Sequence, residues 1–171
     1  MRRFLGLTPP PDYSARVEVF RQSIRHRITA PHVTVKAPNG LTPDLVWLPA
    51  VREACASTQP FTVRVEGVRS FGRRVIYLAV HGEGVRDLHV SLLDAVAPAQ
   101  RSQHEGRGAF TPHVTVVLAW EELGVTFDEA LERARAELTE GVTFTARAVD
   151  VYRKPRPGAA YEVELSLPLS T

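Results

Sequence analysis

The chain has 171 residues, of which 44% are hydrophobic and 23% charged, and its formal net charge is +2 at pH 7. These values are typical of one water-soluble globular domain, and the small positive charge permits an anionic ligand without requiring one. The apolar runs are too short to span a membrane, and the run after Met1 stops at Thr8, too early for a signal peptide. A single cysteine, Cys55, excludes an internal disulfide bond and is typical of the reducing cytoplasm. We therefore expect a cytoplasmic monomer that does not bind membranes.

The first half of the sequence predicts a strand, a helix, a strand, a helix and a hairpin. Apolar residues from Tyr13 to Ile24 recur at the spacing of one helix face, and Asp12 is the expected N-cap of that helix. The predicted elements are a strand over 3–7, a helix ending near His26, a strand over 31–35, a helix from about Leu48 to Ser57, and strands over Phe61–Arg69 and Arg74–His81.

The second half predicts a similar order. Its first helix precedes a polar, glycine-containing loop over Gln100–Ala109, which we expect to be mobile. Thr126 and Glu129 form a capping box at the start of the next helix. The predicted elements are a helix over 85–96, a strand over 112–116, a helix over 127–138, and a last hairpin of Thr143–Tyr152 with Ala160–Leu167.

One five-residue motif, PHVTV, occurs in each half, at Pro31–Val35 and at Pro112–Val116, 81 positions apart. β-branched residues after an entry proline predict a strand, in which alternate side chains point to opposite faces. The His and Thr of each copy therefore share one face, and the two Val residues point into the core. If the halves pack about a pseudo-twofold axis, the two His-Thr pairs meet across a cleft. The repeat predicts an α+β fold over residues 1–171, with two similar lobes of approximately 1–82 and 83–171 that can interleave.

Two imidazoles and two hydroxyls on one cleft suit displacement at phosphorus. One neutral histidine can take a proton from an attacking water while a protonated one supplies a proton to the departing oxygen. The threonine hydroxyls can donate hydrogen bonds to the non-bridging oxygens, where charge must be held in the transition state. This scheme requires no metal ion and no cofactor.

A paired HxT motif in a small duplicated α+β chain resembles the two-histidine (2H) phosphoesterase superfamily, in particular its bacterial RNA 2′,3′-cyclic phosphodiesterase branch, also called 2′-5′ RNA ligases. The opening Phe4–Leu7, the segment Val68–Gly72 and the closing Tyr161–Leu169 are similar to pieces of that branch. The resemblance implies a bilobed fold with a central groove. It also implies metal-independent opening of a 2′,3′-cyclic phosphate to a 2′-phosphomonoester, with reversal to a 2′-5′ linkage as a further reaction. RNA with cyclic phosphate ends, or cyclic nucleotides, would be the partner.

Carried onto this sequence, the resemblance makes His32 and His113 the acid/base pair and Thr34 and Thr115 the phosphate-binding donors. It does not say which histidine is the base. The family's first motif often continues to a basic residue, which Lys36 matches, whereas the second copy has a valine at that place.

Four further residues are candidates for substrate contact: Lys36, Phe71, Arg107 and Phe110. Phe71 and Phe110 can stack on a base and Arg107 can contact a backbone phosphate, although each also suits a purely structural role. Alternative functions are hydrolysis of another cyclic phosphate, such as ADP-ribose cyclic phosphate, and non-catalytic binding of RNA ends or nucleotides. A metallohydrolase is disfavoured because the sequence has no HxH, HExxH or CxxC motif, and we expect no metal ligands.

Overall fold

The computed structural model describes residues 2–96 and 102–171, which form one curled antiparallel sheet with helices packed on it. Among these residues there are eight strands and four helices, as expected for the α+β class. The strands are β1 (Arg2–Leu7), β2 (Val33–Lys36), β3 (Phe61–Phe71), β4 (Val75–His81), β5 (His113–Leu118), β6 (Val142–Ala146), β7 (Ala148–Lys154) and β8 (Glu162–Pro168). The helices are α1 (Pro11–Ser23), α2 (Leu48–Ala56), α3 (Glu83–Ala95) and α4 (Phe127–Glu137).

The two PHVTV copies form the central strands β2 and β5. The valines of both copies are fully buried, and the His and Thr side chains that alternate with them are only partly buried. This alternation is the one that a strand with one core face requires, and it confirms the expected orientation of the motif.

The strand order β6-β3-β4-β5-β2-β1-β7-β8 mixes the two halves of the sequence. β5 pairs with β4, which comes from the first half, and β1 pairs with β7, which comes from the second. The two sides of the sheet meet where β2 pairs antiparallel with β5, with Val33 opposite Val114. The sheet is therefore built around the two motif strands.

The helices also cross between the halves. α1 precedes β2 in the chain but packs on β5, and α3 precedes β5 but packs on β2. Each motif strand is thus covered by the helix that precedes the other copy. No helix of the described residues is both long and apolar enough to cross a membrane.

Two local predictions are wrong. The N-cap of α1 is Pro10 and not Asp12, because consecutive prolines fix the extended and helical backbone angles two residues earlier. Asp12 lies instead in the first turn, where its negative charge interacts favourably with the helix dipole. The stretch 143–152 is two strands that break at Arg147, because β6 pairs with β3 whereas β7 pairs with β1 and β8. The predicted cap of α4 is confirmed, since Thr126 Oγ1 accepts a hydrogen bond from the Glu129 amide at 3.2 Å.

Candidate active site

The four motif side chains form a rectangle on one face of the sheet. Because Val33 is opposite Val114 in an antiparallel pair, one step along the register sets His32 across from Thr115, and one step the other way sets Thr34 across from His113. Directly opposite residues have Cβ atoms about 5 Å apart, and diagonal ones about 7–8 Å. The two imidazoles therefore occupy opposite corners, with a hydroxyl beside each one.

Each imidazole is oriented by a carbonyl two residues before it in the chain. His32 Nδ1 lies 2.7 Å from the Ala30 carbonyl oxygen, and His113 Nδ1 lies 2.7 Å from that of Thr111. A carbonyl oxygen can only accept, so Nδ1 carries the hydrogen in both rings. Nε2 is then left to exchange a proton with a bound substrate.

Aromatic rings pack on both histidines. The His32 ring lies 4.6 Å from that of Phe4 and 5.2 Å from that of Tyr152, measured between centroids. The His113 ring lies 5.2 Å from Phe71 and 5.3 Å from Tyr77. These aromatic walls fix the rings and cover part of their surface.

Burial lowers the pKa of both histidines. The pKa of His32 is lowered to about 4, chiefly by burial and further by the positive charges of Arg21 and His113, although its hydrogen bond to Ala30 acts in the opposite direction. The pKa of His113 is also lowered by burial, and its hydrogen bond to Thr111 opposes that effect. Both imidazoles are therefore mainly neutral near pH 7 in the free protein, and a bound phosphate anion would favour protonation of one of them.

The threonine hydroxyls are available to a ligand. Within residues 2–96 and 102–171, neither Thr34 Oγ1 nor Thr115 Oγ1 takes part in a hydrogen bond with another protein group. Each can donate to a phosphoryl oxygen placed between the imidazoles.

A groove of about 600 Å³ leads away from this face on the His113 side. One of its walls is formed by the β3–β4 hairpin and β5, and the other by the segment 102–111. Across the described ranges, no three His, Cys, Asp or Glu side chains are grouped so that they could hold a metal ion. The groove is lined by Thr34, Val35, Ala37, Phe71, Arg74, Val75, His89, Ser102, His104, Glu105, Ala109, Phe110, Thr111, His113 and Trp120.

Comparison with known proteins identifies the family of the chain. A family model described as the 2′-5′ RNA ligase superfamily matches residues 9–157. The chain belongs to the 2′-5′ RNA ligase superfamily. No curated protein matches the sequence.

Solved structures with the same fold superpose along nearly the whole chain. TT0787 of Thermus thermophilus shares 20% identity at a TM-score of 0.66, and E. coli LigT in complex with 3′-AMP shares 16% at 0.68. In both comparisons 99% of this chain and 98% of the other are covered. At these identities the likeness establishes the shared fold.

Of the four residues predicted to contact substrate, Lys36 lies under the groove. Its side chain is fully buried, and Nζ donates to the carbonyl oxygens of Ala37 (2.9 Å) and Asn39 (2.6 Å) and to Glu105 Oε1 (2.8 Å). Glu105 also accepts from the Ser102 amide at 2.8 Å. In this structure Lys36 therefore ties the segment 102–109 to β2, and its contact with substrate stays a prediction. Gln100, at the start of the loop we expected to be mobile, lies outside the described residues.

The other three predicted residues differ in position. Phe71 lines the groove and is 38% exposed, which leaves part of its ring open to a ligand. Phe110 also lines the groove but is largely buried, stacked on His89 at 3.9 Å. The Arg107 guanidinium donates a hydrogen bond to the Asp87 carboxylate, and Arg107 does not line the groove. Substrate contact by all three remains a prediction for this member of the superfamily.

Two residues that sequence reasoning missed hold the motif strands in place. Arg21 of α1, almost fully buried, donates from Nε to the Val116 carbonyl at 3.2 Å and from Nη2 to the Thr115 carbonyl. His89 of α3, equally buried, lies with Nδ1 2.7 Å from the Val35 carbonyl. Val35 and Val116 are the same position of the motif, so the two contacts correspond. The signal for Arg21 was present in the sequence, because it follows Val17 by four residues on the apolar face of α1.

Proposed function

We propose that the protein hydrolyses 2′,3′-cyclic phosphate ends of RNA to 2′-phosphomonoesters without a metal ion, by two-histidine acid/base catalysis. The observation that carries this proposal is the rectangle of His32, Thr115, His113 and Thr34 on one face. A phosphorus atom at its centre would have an imidazole on either side, as in-line attack and departure require.

The proposed reaction breaks one bond and forms one. A neutral imidazole takes a proton from water while the water oxygen attacks phosphorus, and the P–O3′ bond breaks as the other imidazole donates its proton to O3′. The product keeps its phosphate on O2′. One of the two imidazoles is still protonated afterwards, but it is now the ring that was neutral at the start. A 5′-hydroxyl in place of water would form a 2′-5′ linkage by the same path. The assignment of base and acid to His32 and His113 stays open.

Thr34 and Thr115 would hold the two non-bridging oxygens. Their hydroxyls lie beside the imidazoles and have no competing protein partner among the described residues. Donors that are already oriented before the reaction stabilise the developing charge without reorganising.

The ligands of related structures support a nucleotide substrate. The structure of E. coli LigT was determined in complex with 3′-AMP, with ATP and with phosphate. A groove that begins at the proposed phosphate position and continues past Phe71 has room for a nucleoside here.

The experiment that tests the function is turnover in the presence of EDTA. We would compare a 2′,3′-cyclic mononucleotide, an oligonucleotide ending in a cyclic phosphate, and ADP-ribose cyclic phosphate, and would identify the phosphomonoester formed. We expect turnover of the first two to the 2′-phosphate. His32→Ala and His113→Ala should each lower kcat by at least about 10²-fold, the low end for a general acid or base.

His81→Ala is a matched control, because His81 lies on the neighbouring strand β4 outside the groove lining. It should leave kcat unchanged. Loss of activity in EDTA, or motif variants as active as the wild type, would rule out the mechanism. If only ADP-ribose cyclic phosphate were turned over, the substrate would be a small cyclic phosphate and not RNA.

A further inference from the structure

Trp120 is an exposed indole at the end of the groove away from the motif threonines. It follows β5 in a turn, and its side chain is 59% exposed although it lines the groove. The turn is fixed against the β3–β4 hairpin, because the Ala119 amide donates to the Arg74 carbonyl at 2.8 Å. The Arg74 guanidinium carbon lies 5.8 Å from the centre of the indole ring. An aromatic face and a cation are thus held together at this end.

Phe71 offers a separate aromatic surface next to His113. One side of its ring stacks on Tyr77 at 4.2 Å, and its edge meets the His113 ring at 5.2 Å. A base attached to a phosphate between the histidines could stack on the remaining exposed part of Phe71.

Trp120 lies at the opposite end of β5 from His113, beside which the phosphate would bind. β5 runs from His113 to Leu118 and Trp120 lies beyond it, so the strand alone spans about 16 Å at about 3.3 Å per residue. A mononucleotide on Phe71 would leave the Trp120 end of the groove unfilled.

The charges at this end suit a phosphodiester. Arg73 is paired with Asp128 at 2.8 Å, whereas Arg74 has no carboxylate partner within the described parts of the chain. The guanidinium of Arg74 is therefore available to an anionic linkage that passes between the two aromatic surfaces.

We propose that Trp120 and Arg74 form a binding site for the nucleotide that precedes the cyclic-phosphate nucleotide, so that the protein selects RNA ends over cyclic mononucleotides. Trp120 stacks on that nucleotide's base, and Arg74 contacts the phosphodiester that joins it to the end. The inference rests on the proposed function, since the phosphate between His32 and His113 sets the position of the strand.

The test compares two substrates that differ by one nucleotide: a 2′,3′-cyclic mononucleotide and a dinucleotide with the same cyclic end. In EDTA, the wild type should show a kcat/KM about tenfold or more higher for the dinucleotide, as expected of one stacked base. Trp120→Ala should lower kcat/KM for the dinucleotide about tenfold more than for the mononucleotide, and Trp120→Phe should retain most of the preference. Arg74→Gln should reduce the preference and weaken its dependence on salt.

Val46→Ala is the matched control, an exposed apolar side chain outside the groove, and should leave both substrates unaffected. Equal kcat/KM values for the two substrates in the wild type, or an equal loss on both in Trp120→Ala, would overturn the inference. If neither substrate is turned over, the proposed function fails, and binding still tests the site. We expect the 2′-phosphorylated dinucleotide to quench Trp120 fluorescence at a lower concentration than the mononucleotide does, and this quenching to be absent in Trp120→Phe. Equal affinities for the two ligands would refute the proposed site.

Discussion

The two copies of PHVTV have the same five residues but different surroundings. The two rings that pack on His32, those of Phe4 and Tyr152, are buried, and the positive charge of Arg21 helps to lower the pKa of His32. His113 is packed against Phe71, whose exposed side faces the groove. Identical motifs on a symmetric frame therefore become two unequal imidazoles, because the side chains around them come from unrelated parts of the sequence.

The supports of the two strands differ in the same way. The Arg21 guanidinium donates hydrogen bonds to β5. It also donates to the carbonyl oxygen of Thr29, which lies just before the first motif, at 3.1 Å. His89 holds β2 through one ring nitrogen, and its other nitrogen accepts from the Gly106 amide at 3.0 Å. One support joins the two motifs, whereas the other joins a motif to the wall of the groove. Equivalent positions of the fold thus have different roles on the two sides.

The largest expected effect tests whether the two hydroxyls are equivalent. Thr34→Val and Thr115→Val should each lower kcat about 10²–10³-fold, the cost of removing one donor to a developing oxyanion. Serine at either position should restore most of the activity. Steady-state kinetics on the cyclic mononucleotide give the comparison, and a loss confined to one variant would show that only one hydroxyl holds the phosphate.

Removing the charged support should weaken the fold and alter His32. Arg21→Met leaves the carbonyls of Thr115 and Val116 without their donor, and we expect the free energy of unfolding to fall by about 2–5 kcal/mol. Arg21→Lys keeps the charge but lacks the planar guanidinium donors, so the free energy of unfolding should fall by a smaller amount.

The pKa of His32 should rise in Arg21→Met, because the nearby positive charge is lost, and NMR titration of the imidazole measures it. His89→Leu is the matched variant on the other side and should leave this pKa unchanged. An unaltered pKa in Arg21→Met would show that Arg21 only stabilises the fold.

The pH dependence should be bell-shaped with an acidic optimum. A reaction that needs one neutral and one protonated imidazole has its highest kcat/KM between the two pKa values of the free enzyme. With the pKa of His32 at about 4 and that of His113 lowered from its ordinary value by burial, kcat/KM should rise as the pH increases through about 4. It should fall once the pH exceeds the pKa of His113. An optimum at neutral or higher pH would contradict these environments.

The smallest effects should separate the two aromatic walls. Phe71→Leu removes an exposed stacking surface, so KM should rise about threefold to tenfold with little change in stability. Phe4→Leu acts inside the core and should lower the free energy of unfolding by about 1 kcal/mol with little change in KM. Chemical denaturation and steady-state kinetics on both variants measure the two quantities, and the opposite pattern would mean that the groove lies on the His32 side.

Much of the fold and the motif geometry could be predicted because the signals are local. Alternation in PHVTV predicted the outward-facing His and Thr and the buried valines, and the capping box predicted the start of α4. The break at Arg147 could not be seen, because Thr143–Tyr152 is β-prone throughout and only the pairing partners divide it. Lys36 lies two residues past Thr34, yet its burial depends on Glu105, 69 positions away in the chain. The place of Trp120 in the groove could not be seen in the sequence, because it depends on the hydrogen bond from the turn after β5 to Arg74 of the β3–β4 hairpin.

The single pairing of Val33 with Val114 has a consequence for how the protein folds. The two residues are separated by 81 positions, so a long segment of chain must be closed before the strands meet, and contacts of this range form slowly. Each imidazole can be in place within its own strand well before that event, but the distance between them is set only by it. We expect recovery of activity during refolding to coincide with the slowest structural phase. The enzyme's own reaction would then report the completion of its tertiary structure.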